Sequence, residues 1–231
     1  MNKDGTGFRI LPASKGIIIA VAMSSDEKKI AYWVAKTIRN PGSKSLITDF
    51  DIRELDLTTK EERLFAGPFE FFEIGSISYL NDSTLLIGAF APKGINLTIQ
   101  EYAKKFNYSQ IYQIHRGQKE LPLPIFYKNK SARSPVIDNQ KNIYLIDYPD
   151  NTGRALTRIS RDGNYSSWRA PDIKTQNLHR LAVSPKGQYV AFIYGNHRSA
   201  IGVFELDREA WLPIALPPTN EASLITIKPA V

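Results

Sequence analysis

One short pattern recurs four times along this chain of 231 residues, and repetition limits the possible folds more than any single motif does. The clearest copies are Ala22-Met23-Ser24-Ser25-Asp26-Glu27-Lys28-Lys29-Ile30-Ala31-Tyr32 and Ala182-Val183-Ser184-Pro185-Lys186-Gly187-Gln188-Tyr189-Val190-Ala191-Phe192. Each reads as an apolar strand, a polar turn and a second apolar strand. Weaker copies run from Ser78 to Ile87 and from Val136 to Tyr144. With Ile30, Leu86, Ile143 and Val190 taken as equivalent, the copies lie about 56, 57 and 47 residues apart, the spacing of supersecondary units that stack on one another.

The second half of each unit adds another strand. Ile52, Ile111, Leu156 and Val203 share one register, and Leu55, Ile114, Ile159 and Leu206 share a second, three residues on. Successive side chains then point to opposite faces, as a sheet sandwiched between neighbours requires. Gly, Asp or Lys follows, the chemistry of a tight turn into a fourth strand. Proline closes every unit, at Pro68, Pro124, Pro171 and Pro217. Lacking an N–H, it belongs on an outer edge strand. Four antiparallel strands per unit, repeated, predict an all-β propeller with blades over 16–68, 72–124, 132–171 and 178–217.

Both ends resemble parts of further units. Residues 3–12 read as a blade tail, and residues 222–229 as the innermost strand of another blade. The expectation is a piece of a larger propeller. The alternative is a closing blade split between the two termini, for which two middle strands have no candidate sequence. The apolar run within Lys15–Met23 has the look of a short signal sequence, but the repeat assigns it to an innermost strand.

Composition narrows the functional classes. No stretch reaches the ~20 apolar residues of a membrane span. The chain has no cysteine, which removes disulfides, thiolate nucleophiles and cysteine metal sites. A net charge of +7 and a pI near 9.4 permit an acidic partner. The basic residues are scattered, however, without a run of five or six, which reads as solvated strand faces and argues against nucleic-acid binding.

Connection lengths point to where a site could be. From second to third strand the gap is about 16 residues in the last two units, against about 25 from Ile30 to Leu55 and about 28 from Leu86 to Ile114. Long loops on a rigid scaffold commonly carry binding function. Within the longer one, Thr98 and Glu101 fit a capping box, and Ile99, Tyr102, Ala103 and Phe106 fall on one face of a short helix. The partner-binding candidates are therefore Arg39 and Lys44 of the first loop with Ile99, Tyr102, Lys105 and Phe106 of the second.

No catalytic residue, metal site or cofactor is expected. His115, His179 and His197 have no metal-ligand spacing, and His115 reads as a turn residue. Asp147 to Gly153 lacks calcium-loop spacing and reads as a turn. Neither a Gly-x-Ser-x-Gly elbow nor a Gly-rich phosphate loop occurs. Four Asn-x-Ser/Thr sequons begin at Asn81, Asn96, Asn107 and Asn164.

Ser184-Pro185-Lys186-Gly187-Gln188-Tyr189-Val190-Ala191-Phe192, followed by Phe204-Glu205-Leu206-Asp207, resembles the Ser-Pro-Asp-Gly-x-x-Ile-Ala-Phe repeat of TolB-like, WD40-like propellers. Residues 25–32 with Asp56-Leu57-Thr58-Thr59-Lys60 are similar to it, although Lys186 replaces the usual Asp and Glu27 and Lys28 depart from the pattern. The resemblance implies fold more than function. One group with this repeat comprises extracytoplasmic proteins that dock other proteins, which makes another protein the expected partner. A second comprises prolyl-oligopeptidase-like and tricorn-like peptidases, whose propeller gates a catalytic domain that would lie outside this chain. A third reading is a scaffold or carbohydrate-binding propeller with Trp33, Tyr102 or Trp168 as aromatic platforms. If the chain is a fragment, its unpaired blade faces favour self-association.

Overall fold

In the computed structural model the described residues are 16–38, 47–71, 74–90, 109–125, 132–150, 153–169, 178–194 and 200–214. They form fifteen strands in four antiparallel sheets and no helix. Sheet 1 comprises β1 (Ile17–Met23), β2 (Lys29–Ile38), β3 (Ile47–Asp56) and β4 (Glu62–Phe69), and sheet 2 comprises β5 (Ile74–Asn81), β6 (Thr84–Phe90) and β7 (Ser109–His115). Sheet 3 runs β8 (Ala132–Ile137), β9 (Ile143–Asp150), β10 (Gly153–Ile159) and β11 (Tyr165–Trp168). Sheet 4 runs β12 (His179–Val183), β13 (Tyr189–Tyr194), β14 (Ala200–Glu205) and β15 (Ala210–Ile214). Every sheet is a meander whose hydrogen-bonded order follows the chain. Sheet 2 has three full strands, and a bridge from Tyr112 to Pro124 begins the position of a fourth. Proline suits that edge, since only Ile125 N–H is needed to donate, to Ile111.

The hairpin between first and second strands explains why the repeat is visible in sequence. The residue opening each turn is Ser24, Asn81, Asp138 or Ser184, and its side-chain oxygen accepts backbone N–H groups of the turn. In three of the four turns the residue three positions on is left-handed: Glu27 at φ 58°, Lys141 at 68° and Gly187 at 68°. Glycine is unstrained there and the other two are not. At Gly187 space also matters, because a Cβ would stand 2.3 Å from the Asp138 carboxylate of the neighbouring sheet.

Alternation sends one set of side chains to each flank. Between sheets 1 and 2, Trp33, Phe50, Ile52 and Phe65 pack against Leu85, Ile87, Tyr112 and Ile114. Phe71 sits among them, with its ring 5.0 Å from Tyr112 and 6.2 Å from Trp33. Leu86 points the other way, joining Ala132, Leu145 and Ile159 between sheets 2 and 3. Tyr144, Ile146 and Leu156 meet Val190, Phe192 and Phe204 between sheets 3 and 4. Leu85 pairs with Ile114 as Ile30 does with Leu55 and Ile143 with Ile159. The equivalent position in the second unit is therefore Leu85, and aligning Leu86 there shifts the register by one and swaps the flanks.

The outer flanks of the end sheets stay partly open. Val21 and Met23 of sheet 1 are 62% and 54% exposed, and Tyr189 and Leu212 of sheet 4 are each 43% exposed. The segments expected to form terminal blade parts, 3–12 and 222–229, lie outside the described residues, as do Pro171 and Pro217. Residues 17–23, with their signal-like composition, form innermost strand β1.

Candidate functional site

The first strands of the four sheets stand side by side in the order β1, β5, β8, β12. They line an open-mouthed cavity of about 320 Å³, walled by residues 18–21, 76–77, 134–136 and 180–181. Most of this wall is aliphatic, and among the described residues its single charged side chain is Arg180.

Each wall strand is irregular at the level of the cavity. The pairing shifts between Ile18 and Val21 in β1, Ile74 and Ser76 in β5, Arg133 and Val136 in β8, and His179 and Leu181 in β12. Such bulges interrupt the ladder and re-aim side chains, here towards the axis. Two of them hold non-glycine residues in the left-handed region, Ser134 at φ 52° and Arg180 at 37°. A strained backbone persists only where its surroundings fix it, and both strained residues face this cavity. Gly88 makes room beside it, since a Cβ there would meet Ser76 Oγ at 2.8 Å and Pro135 Cδ at 3.1 Å.

The polar groups are few and directed. Arg180 reaches across the axis and donates from Nη1 to the Gly75 carbonyl of β5. The next residue, Ser76, carries a buried Oγ with no hydrogen-bond partner. Ser134 adds a third polar residue to the described lining, from β8.

Topology fixes which face this cavity serves. The bulges lie near the starts of the first strands, and in each hairpin that end is level with the end of the second strand. Sheet 1 shows this directly: Ile17 pairs with Ala35 near one end of β2, while Met23 pairs with Ile30 at the other. The chain leaves β2 for β3 beyond the pair Ile38–Ile47, and β6 for β7 beyond Phe90–Ser109. The two long connections therefore depart from the face onto which the cavity end of the axis looks. All six sequence candidates, Arg39, Lys44, Ile99, Tyr102, Lys105 and Phe106, lie in those connections and outside the described residues, as does the expected helix after Thr98.

Trp33 is no platform: it is fully buried, in edge-on contact with Phe50 at 5.9 Å. Trp168 packs its ring 5.0 Å from Phe204 between sheets 3 and 4. His115 ends β7 with Nδ1 3.3 Å from Thr84 Oγ1, its cross-strand neighbour. Asp147, expected in a turn, lies inside β9 and is buried, and β9 and β10 pair as far as Asp150 with Gly153. Among the described residues no group of three or more His, Asp or Glu side chains is placed to hold a metal.

No family model matches the chain, and no curated protein matches it in sequence. Solved structures do match in fold. A puromycin-hydrolyzing peptidase of Mycobacterium tuberculosis superposes with a TM-score of 0.55 at 11% identity, over 91% of this chain and 32% of that one. An oligogalacturonate lyase of Vibrio parahaemolyticus superposes with a TM-score of 0.53 at 10% identity, over 88% of this chain and 55% of that one. The chain thus spans about a third and about half of their lengths. At such identities the likeness concerns architecture alone, and with the four stacked meanders it makes this chain an all-β fold of propeller type.

Proposed function

We propose that this chain is a non-catalytic docking module that captures a partner protein on the propeller face overlying the axial cavity. The observation that carries this reading is the coincidence of two features at one end of the blades. The four bulges converge there, and the connections 39–46 and 91–108 leave from there. A rigid sheet scaffold with its longest loops around one opening suits recognition.

The test replaces 39–46 and 91–108 with short turns and measures capture of a partner identified by cross-linking to the wild-type chain. The control changes the opposite face by Arg161→Glu and Lys186→Glu, two exposed turn residues. Docking as proposed is lost with the first variant and retained with the second. Retention with both, or loss only with the second, overturns it.

A second reading is the substrate-gating propeller of a serine peptidase, with the catalytic domain encoded elsewhere in the same reading frame. It is favoured by the match of nearly the whole chain to about a third of a peptidase. A reading frame continuing into a Gly-x-Ser-x-Gly segment would select this reading over the first.

A further inference from the structure

We infer that the axial cavity is a binding site for a carboxylate attached to an apolar residue, as at the C-terminus of a peptide. The inference deepens the docking reading, because it names what the partner would insert at the axis.

Three observations converge. Arg180 lines a mostly aliphatic cavity and spends one donor on the Gly75 carbonyl, leaving others of its five to a ligand. Ser76 Oγ, on the residue next to Gly75, is buried and without a partner, a state that normally calls for a ligand or water. The backbone at Arg180 and Ser134 is held in a left-handed conformation that aims both side chains at the same space. A guanidinium and a hydroxyl together satisfy the oxygens of one carboxylate through charge-assisted bonds.

The remaining wall selects what the carboxylate is attached to. Ile77, Val136 and Leu181 offer aliphatic contact, which fits a branched apolar side chain. A single arginine matches one negative charge, whereas phosphate sites gather several basic groups. Among the described residues no aromatic side chain lines the wall to stack on a sugar ring, which disfavours a uronic acid. A cavity of about 320 Å³ holds roughly one or two amino-acid residues.

The experiment titrates the intact chain with N-acetyl-Ala-Leu, its C-terminal amide, glucuronate and inorganic phosphate, following binding by calorimetry. The free acid is expected to bind saturably, and the amide, glucuronate and phosphate at least about tenfold more weakly, the factor a charge-assisted hydrogen bond supplies. Arg180→Gln should weaken the acid about tenfold or more and abolish the preference over the amide. Ser76→Ala should weaken it severalfold while preserving the preference. Because Arg180 also ties β12 to β5, unfolding curves accompany each variant, and Ser76→Ala, which breaks no bond within the protein, is the independent arm. Equal affinity for acid and amide, unchanged binding in Arg180→Gln, or no saturable binding of the acid overturns the inference. In each case loop-dependent capture of a partner protein would still stand, so the two readings fail separately.

Discussion

Arg116, in the turn after β7, lays its guanidinium across the carboxylate of Glu54 in β3 of the adjacent sheet, with Nη2–Oε2 at 2.8 Å and Nη1–Oε1 at 3.1 Å. Glu54 is fully buried, and its oxygens also accept from Arg63 and from Tyr79 Oη at 2.9 Å. Arg116 in turn stacks 4.5 Å above Phe65 and donates to the Asp82 carbonyl. Backbone bonds from Gly117 to Phe65 and from Gly67 to Gln118 close the same seam. One buried charge thus fastens two blades whose partners are far apart in sequence.

Removing either end of this fork should be costly in different degrees. Arg116→Met leaves the Glu54 charge buried with fewer donors, and about 3 kcal/mol of stability should be lost. Glu54→Gln frees two arginines that are 31% and 57% exposed and can rehydrate, so about 2 kcal/mol is expected. Arg63→Met, on the more exposed partner, should cost under about 1 kcal/mol. Urea unfolding curves of the three variants check the order, and a loss from Arg63→Met equal to that from Arg116→Met would show that the fork is not the fastener.

The same network sets an acid limit. Burial pushes the Glu54 carboxyl up, but the hydrogen bonds from Arg116, Arg63 and Tyr79 outweigh it and hold it below the ordinary glutamate range. Asp26 is also lowered, by Ser24 first, and Asp56 by the N–H groups of Thr59 and Thr58. A carboxyl that binds its proton less readily when folded stabilises the fold fully above the unfolded value. That stability drains away as pH falls through the lower folded value. The urea midpoint should therefore hold down to about pH 5 and fall steadily below about pH 4. In Glu54→Gln the fall should be shallower, and an identical slope would remove Glu54 from the account.

Much of the fold was legible because each hairpin turn opens with a side chain that must accept from the backbone. Ser24, Asn81, Asp138 and Ser184 keep that chemistry even where the strands diverge. The strand periodicity was legible too, but not its phase: Leu85, Leu86 and Ile87 are all apolar and all buried, so only pairing with Ile114 tells which flank each serves. The Glu54–Arg116 seam was invisible because 62 residues separate its partners. The axial cavity was invisible for a related reason. Its bulges are differences of register between strands, and a single strand such as β12 carries no mark of where its pairing slips. Arg180 in β12 and Arg133 in β8, cations inside mostly apolar innermost strands, are the marks the sequence does carry there.

The turn of the first unit contains a correctable strain. Glu27 is exposed and left-handed at φ 58°, the position Gly187 occupies without penalty in the fourth unit. Glu27→Gly relieves a cost of about 1–2 kcal/mol and adds back part of it as lost unfolded-chain entropy. A net gain of about 0.5–1 kcal/mol is expected, read as a rise in the urea midpoint without a change in slope. No gain would mean that another interaction of Glu27 compensates for the strain.

Trp33 separates packing from polarity in the first interface. Its ring is fully buried between the edges of Phe50 and Phe71, yet its indole Nε1–H has no hydrogen-bond partner. Truncation by Trp33→Ala opens a cavity and should cost about 3–5 kcal/mol. Trp33→Phe removes the stranded donor together with part of the ring, and relief of about 1–3 kcal/mol offsets the lost contacts. Its net effect should stay within about 1 kcal/mol of the parent. The two variants measured side by side in urea decide the matter. If Trp33→Phe falls nearly as far as Trp33→Ala, the indole nitrogen has a partner in solution, and the seam between the first two blades contains water at that point.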